Sequence, residues 1–222
     1  MEVIMNIKEL FQLADELRDN IKKTESLNID TWNQIKNKII STNQDRVLEE
    51  ETKAIDLMIQ RSFSGTLLIT EELLKQMHQE LSENLNKESA GKYRDIQILQ
   101  TGTKKIPDPK DLPHLMEHFI GQINTSKSFF HPIEFATYVY KRIFDIQPFI
   151  NGNELVANLL LNCILLSEGY GVIFIQPQKD ERFLRALELA QNYEHPVMDP
   201  IIEIIAEYVV KDEQEYNKCI SD

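Results

Sequence analysis

Residues 144–158 read Phe-Asp-Ile-Gln-Pro-Phe-Ile-Asn-Gly-Asn-Glu-Leu-Val-Ala-Asn, and they join two long segments whose apolar residues have helical spacing. Pro148 cannot continue a helix, and Gly152 tolerates a positive φ angle, so residues 147–153 are predicted to form a tight turn between two helices. The second helix then begins near Asn153 or Glu154. Free N–H groups at such a helix start suit an anion such as a phosphate, although the same turn also fits a plain connection between helices.

The two segments that flank this turn are the predicted centre of the fold. Residues 131–144 form the first helix and residues 153–168 the second, which is apolar nearly all round and should therefore be buried. Residues 172–175, Val-Ile-Phe-Ile, follow it and are predicted to be extended and buried. Two more helices are predicted over residues 180–192 and from residue 196 to about 215.

Composition limits the classes of partner. The chain has 222 residues, 42% of them hydrophobic, and a net charge of −12 at pH 7. This charge argues against nucleic acid or an anionic membrane as the main partner, because both attract basic surfaces. No apolar run is long enough to cross a membrane, and the N-terminus does not resemble a secretory signal. We expect a cytoplasmic protein, and export as an effector stays open.

Three organisational units are predicted. Helical spacing over residues 6–24, 30–40 and 45–62 indicates an N-terminal helical arm over residues 1–62. The main domain follows over residues 63–210, and residues 211–222 are a C-terminal tail. The only strand-like segment alternates apolar and polar residues from Ile96 and turns near Gly102, which predicts one short β-hairpin in an otherwise all-α fold. His114 and His118 have the spacing of a zinc pair but no evident third ligand, so no metal site is predicted.

The central turn carries a family resemblance. Residues 147–155, Gln-Pro-Phe-Ile-Asn-Gly-Asn-Glu-Leu, resemble the Fic motif His-Pro-Phe-x-Asp/Glu-Gly-Asn-Gly-Arg, and residues 131–136 and 158–170 resemble its flanking helices. The resemblance extends over about residues 29–209. It implies the Fic fold, an all-α domain with a short β-hairpin flap. Family members transfer a nucleotide monophosphate, usually AMP from ATP with Mg²⁺, onto a hydroxyl group of a target protein.

The chain departs from this motif at the positions that carry the family's chemistry. Gln147 replaces the histidine that takes the target's proton, and loss of a general base typically costs about 10²–10⁴ in rate. Asn151 replaces the acidic residue that holds Mg²⁺ and offers an oxygen without the charge that a hard cation prefers. Glu154 replaces the second glycine and adds negative charge, whereas Leu155 replaces the arginine that neutralises phosphate.

Other positions correspond to the family's nucleotide site. Gly152 and Asn153 keep part of the phosphate cradle, and Asn158 stands where many members have a further arginine. Phe183 corresponds to an aromatic residue that often lies near the base, and a role in the core fits it equally well.

Two more segments resemble regulatory and target-binding parts of the family. Residues 61–72 resemble the segment that carries an inhibitory glutamate, and Ser64 occupies the position of that glutamate. Residues 91–94, Gly-Lys-Tyr-Arg, precede the flap, whose edge binds the target as an added strand in the family. A hairpin that merely covers the cleft is the alternative. The predicted flap and target-binding residues are Ile98, Leu99, Gln100, Thr101 and Gly102.

Three functions remain open from the sequence. The first is a degenerate Fic protein, a pseudoenzyme that binds a protein, a peptide or a nucleotide. The second is a divergent transferase that uses Glu154, Asn151 and Asn153 on another substrate. The third is a regulatory subunit that self-associates through the N-terminal helices. ATP with Mg²⁺ is the ligand pair that the resemblance implies.

Overall fold

A computed structural model of the chain is helical, and among the residues it describes there is no β-strand. The all-α prediction is confirmed. The described residues are 5–24, 56–57, 60, 62, 67–82, 88–98, 105–173, 175, 177–192 and 194–221. The principal helices of this part are α1 (Ile7–Thr24), α2 (Glu71–Ser82), α3 (Leu112–Ser126), α4 (Pro132–Ile146), α5 (Asn153–Ser167), α6 (Glu181–Ala190) and α7 (Asp199–Ser221).

Helices α4 and α5 form the centre of the fold, as predicted. The His131 side chain caps α4 by accepting a hydrogen bond from the Ile133 N–H, and Pro132 occupies the first helical position. Residues 147–152, here named the central turn, connect the two helices. Every residue of α5 from Val156 to Leu166 is buried, which follows from its nearly continuous apolar sequence.

Two asparagines of α5 hold the segment that follows it. Asn162 donates to the Ile173 carbonyl (2.8 Å) and accepts from the Ile173 N–H (2.9 Å). One turn earlier, Asn158 donates to the Ile175 carbonyl (3.2 Å) and accepts from the Ile175 N–H (3.4 Å). Ile173 and Ile175 are buried and non-helical, so these side chains provide the partners that a neighbouring strand would otherwise supply.

The first and last described helices lie against each other, since α1 packs extensively on α7. Helix α7 extends to Ser221 and therefore runs through most of the tail predicted for residues 211–222. Its buried side of Ile205, Val209 and Glu213 continues past residue 210, and the Glu213 carboxylate accepts from the Gly171 N–H (2.6 Å). This contact extends the packed surface beyond the predicted domain boundary.

Several predicted features fall outside the described residues. They are the arm helix over 30–40, Ser64, and the flap residues Leu99, Gln100, Thr101 and Gly102. The flap and self-association through the arm therefore stay predictions. No described helix combines the length and the apolar character that a membrane span requires.

Candidate functional site

The central turn begins with a residue in a sparsely populated conformation. Gln147 ends α4 with φ 45° and ψ 65°, the left-handed region, and it is the only non-glycine residue with positive φ in the described part of the chain. Its N–H donates to the Ile143 carbonyl (2.8 Å), which closes the last turn of the helix. The left-handed conformation costs a residue with a Cβ atom about 1–2 kcal/mol, so the surroundings must hold it in place.

The far end of the turn has the geometry that the sequence predicts. Gly152 has φ 69° and precedes α5, which begins at Asn153. The Asn153 side chain bridges the turn, because it accepts from the Phe149 N–H (3.0 Å) and donates to the Phe149 carbonyl (2.9 Å). Asn153 is therefore committed to the shape of the turn, and its predicted contact with phosphate remains a prediction.

Arg94 fixes the other side of the turn. Its guanidinium donates to the carbonyls of Gln147 (2.8 Å), Pro107 (2.7 Å) and Ile96 (3.2 Å), and its own N–H donates to the Pro148 carbonyl (2.9 Å). The side chain is buried, and burial lowers the pKa of the guanidinium from its ordinary value. One cation thus joins the C-terminal end of α4 to both ends of residues 97–106, the segment that contains the predicted flap.

His78 supports the turn from beneath, and it is not among the site residues predicted from the sequence. Its ring is fully buried and stacks on Phe149, with centroids 3.9 Å apart and planes 6° apart. Nδ1 accepts from the Gly91 N–H (3.0 Å), and the ring also hydrogen-bonds the side chain and the backbone of Asn151. Burial lowers the pKa of His78, although the Asn151 contacts oppose this shift.

A signal for His78 does exist in the sequence. Its position is four residues after Leu74 and three before Leu81, on the buried side of α2. A titratable side chain on an apolar helical stripe needs a polar partner, and here both partners come from distant segments.

The side chains of the central turn do not fit the Mg²⁺ ion that the family resemblance implies. Gln147 and Leu155 carry no charge, and the exposed Asn151 supplies no carboxylate. Asn151 also shares its side chain with His78. Hard divalent cations prefer charged oxygen ligands, so the position that should hold the metal is unsuited to it.

The remaining predicted residues lie on α5, on α6 and near the flap. Glu154, half-buried in the first turn of α5, accepts from the Gln178 side chain (2.8 Å). Asn158 is buried and binds Ile175, as described above. Phe183 is fully buried and contacts Tyr140 edge-on, with ring planes 83° apart, which is the core role that the sequence also predicts as an alternative. Ile98 is half-buried, and nucleotide contacts of Asn158 and Phe183 stay predictions.

An open groove lies next to Arg94. It has a volume of about 730 Å³ and is bordered by residues from both ends of the predicted flap segment. The lining includes Tyr93, Asp95, Gln97, Asp108 and Lys110. Arg94 therefore lines the groove and also binds the central turn.

Comparisons with known proteins point to one family. A family model described as the Fic/DOC family matches residues 68–165. The protein adenylyltransferase Fic of Aedes aegypti is 29% identical over 140 residues, which are 63% of this chain and 27% of that protein. The protein of the same name from Drosophila persimilis is 28% identical over 165 residues, 74% of this chain and 32% of that protein. The matched part thus spans about a third or less of these relatives.

Solved structures share the fold at low identity. A Fic domain containing signaling protein from Bacteroides thetaiotaomicron has a TM-score of 0.74 at 18% identity and covers 98% of this chain and 97% of that chain. Residues 134–508 of Fic-1 from C. elegans also give 0.74, at 16% identity, covering 97% of this chain and 73% of that chain. IbpAFic2 covalently tethered to Cdc42 gives 0.59 at 18% identity, covering 95% and 65%.

Proposed function

Because this chain belongs to the Fic/DOC family, we propose that it is a Fic-domain protein, related to the adenylyltransferases, that binds its partners without transferring AMP. It keeps the helical scaffold and the central turn, whereas the titratable groups of the reaction are replaced. Its partner is a protein or a peptide that docks beside the predicted flap, and its cleft binds a nucleotide.

The observation that carries this proposal is the lack of a usable base at the central turn. Gln147 occupies the position of the family histidine, and an amide does not accept a proton in the useful range. His78 is the histidine beneath the turn, but its ring is buried and hydrogen-bonded on both sides. His131 caps the opposite end of α4, about 24 Å away at 1.5 Å per helical residue.

The proposed partner site is the groove beside Arg94 together with the flap edge. The groove is open and lined by the residues that lead into and out of the flap segment. A related structure, IbpAFic2 in complex with adenylylated Cdc42, contains a protein partner. An extended peptide can bind a sheet edge through its backbone, and neighbouring side chains then select it.

The test of the proposal is a transfer assay with ATP labelled on the α-phosphate. The wild-type chain should label neither itself nor proteins of a lysate. The matched variant restores the family residues through Gln147→His, Asn151→Asp, Glu154→Gly and Leu155→Arg, and it should transfer label once circular dichroism has shown that it is folded. Label transfer by the wild type that is abolished by Gly152→Val contradicts the proposal.

Partner binding needs its own test. The immobilised chain should capture a protein partner, and Ile98→Pro should weaken this capture because proline removes a backbone donor from the flap edge. Equal capture by the wild type and by this variant would place the partner elsewhere on the protein.

The second candidate function is a divergent transferase that depends on Glu154. The observation that favours it is the position of this carboxylate in the first turn of α5, where Gln178 orients it. Under this alternative, Glu154→Gln abolishes label transfer from nucleotides other than ATP, whereas Gln178→Ala only reduces it.

A further inference from the structure

A second groove, here named the α3–α4 groove, lies between these two helices and the segment that precedes α7. Its volume is about 380 Å³, and its apolar lining includes the buried core residues Phe119, Ile123, Phe135 and Val139. The described lining contains none of the residues predicted for the nucleotide site. The groove is therefore separate from the central turn, and its volume falls within the range of small-molecule sites.

One end of the α3–α4 groove is aromatic. Phe130 and Tyr138 line it, and their rings are in contact, with centroids 5.1 Å apart and planes tilted by 56°. Phe130 is 38% exposed, and the neighbouring Phe129 is 81% exposed. Because apolar rings are unfavourable in water, exposed rings beside an apolar groove indicate a surface that a ligand can cover.

The other end carries an excess of positive charge. Lys141 and Arg142 both line the groove and both approach the Asp145 carboxylate, the Lys141 Nζ at 2.6 Å and the Arg142 Nη1 at 3.9 Å. Asp145 is the one carboxylate among the described lining residues, so two cations share one anion in a chain whose net charge is −12. A distance of 3.9 Å is too long for a hydrogen bond, so the Arg142 guanidinium can still donate to another anion.

The spacing of side chains along α4 indicates the length of a ligand. Arg142 follows Tyr138 by four residues, so both lie on one side of the helix, about 6 Å apart along its axis. A ring and a carboxylate joined by about three methylene groups have this separation. Burial and the negative charges of Glu134 and Asp199 raise the pKa of the Tyr138 hydroxyl, which therefore stays protonated at neutral pH. Negative charge near the aromatic end leaves the Arg142 end as the place for an anionic group.

From these features we propose that the α3–α4 groove binds a small aryl-alkyl carboxylate, whose ring packs on Phe130 and Tyr138 and whose carboxylate pairs with Arg142. The planar guanidinium can donate two parallel hydrogen bonds to a carboxylate, which gives this pair its specificity. A second copy of the chain is a poorer occupant, because two chains of net charge −12 repel each other. The site is tested independently of the function proposed for the central turn.

The first experiment titrates the full-length chain with 4-phenylbutyrate, with its neutral amide 4-phenylbutanamide and with the cation 4-phenylbutylamine, followed by ¹H–¹⁵N NMR. The carboxylate should bind at least about tenfold more tightly than the amide, and the cation more weakly than either, because only the carboxylate pairs with a guanidinium. Equal affinities of the carboxylate and the amide overturn the assigned charge recognition. Absence of carboxylate binding up to about 10 mM overturns the site itself.

Two substitutions locate the bound ligand. Arg142→Gln removes the guanidinium and should weaken binding of the carboxylate about tenfold while leaving the amide unchanged. Gln122→Trp places a large ring at an exposed position of the groove and should weaken both ligands by at least about tenfold. Arg185→Gln is the matched control, because Arg185 lies on α6 with 79% of its side chain exposed, and both affinities should keep the wild-type value. Unchanged affinity for the carboxylate in either groove variant overturns the proposal.

The third experiment tests the competing occupant, a second copy of the chain. Analytical ultracentrifugation of the wild type and of Gln122→Trp should give the same mass, with and without 4-phenylbutyrate. A dimer that either the substitution or the carboxylate dissociates overturns the small-molecule ligand, because the groove would then be an interface between two copies.

Discussion

Gln147 shows how a single residue can occupy a position that favours glycine. Its left-handed conformation follows from the hydrogen bond to Ile143 on one side and the Arg94 contact to its carbonyl on the other. Helices frequently end with glycine in this conformation, and the chain has glutamine instead. Gln147 is therefore held in this conformation by its neighbours at a conformational cost.

Gln147→Gly should raise the free energy of unfolding by about 1 kcal/mol relative to Gln147→Ala, because both variants lose the side chain and only alanine keeps the steric cost of positive φ. Urea denaturation measures the difference. Equal stability of the two variants would show that the turn changes its backbone conformation on substitution.

His78 makes stability depend on pH in a predictable direction. Burial holds the pKa of His78 in the folded protein below the ordinary value of 6.5. On acidification, this histidine therefore takes up its proton in the unfolded chain first. Stability is therefore complete above this value and falls as the pH decreases below it. His131, half-buried beside Asp15, has a lowered pKa as well and contributes in the same direction.

The prediction is that His78→Gln reduces the loss of unfolding free energy between pH 7.5 and pH 5. Glutamine can accept from Gly91 and donate to Asn151 without titrating in this range. An unchanged slope in His78→Gln would mean that the ring is not kept neutral by its surroundings.

At the scale of single residues, the sequence predicts local backbone geometry better than it predicts contacts with distant parts of the chain. Gly152 and the helix start at Asn153 follow from turn chemistry within a few residues. His78 lies far from the central turn in the chain, and no local pattern links it to Asn151. Its contact depends on how α2 packs beneath the turn, which is a property of the folded molecule.

Arg94 acts at the scale of elements, because it joins α4 to a segment far away in sequence. Arg94→Lys should lower the free energy of unfolding by about 3 kcal/mol, since one ammonium group cannot satisfy the three separated carbonyls that the guanidinium binds. Arg142→Lys is the matched control. Arg142 lies on the partly exposed side of α4, 3.9 Å from Asp145, and its replacement should change stability by less than about 0.5 kcal/mol.

Chemical denaturation of the two lysine variants decides this prediction. A small effect at Arg94 would show that water replaces the guanidinium, and that the ends of the flap segment are not fixed to the central turn through this residue.

The asparagines of α5 lead to a second prediction about elements. Asn162→Ala and Asn158→Ala should each cost about 2–4 kcal/mol, because each leaves a buried backbone N–H and a carbonyl of residue 173 or 175 without a partner. Thr125→Ala is the control. The exposed Thr125 hydroxyl donates to carbonyls of its own helix, so its removal should change the free energy of unfolding by less than about 0.5 kcal/mol.

Thermal unfolding without nucleotide is the measurement for the asparagine variants. If Asn158→Ala were as stable as the wild type and lost only nucleotide affinity, Asn158 would have the nucleotide-binding role that the family resemblance implies. The helical period of α5 predicts its burial, but it does not predict these contacts. Polar residues within an apolar helix indicate that a partner exists without identifying it.

At the scale of the whole molecule, a polar network joins the N-terminal helix to the end of the central pair. The Tyr170 hydroxyl donates to the Asp15 carboxylate and accepts from Arg18 (2.8 Å), and Arg18 lies 3.0 Å from Asp15. The His131 ring, which caps α4, stacks on Phe11 of α1 with centroids 4.0 Å apart. Helical spacing predicts α1, whereas its attachment to residues near 131 and 170 depends on three-dimensional packing.

This network should couple α1 energetically to the central pair, and a double-mutant cycle measures the coupling. Tyr170→Phe removes the buried hydroxyl group. Arg18→Met keeps most of the aliphatic part of the side chain but removes the guanidinium that binds this hydroxyl. Because the hydroxyl mediates the contact of Arg18, the double variant should lose about 1 kcal/mol less unfolding free energy than the sum of the two single losses.

Tyr170→Phe combined with Arg182→Met is the control, since Arg182 binds Glu207 elsewhere on the molecule and the two effects should add. Additivity in both cycles would mean that the contact between Tyr170 and Arg18 does not couple α1 to the central pair. A coupling found only in the first cycle, within a single unfolding transition, would make the N-terminal helix a part of the domain's cooperative unit.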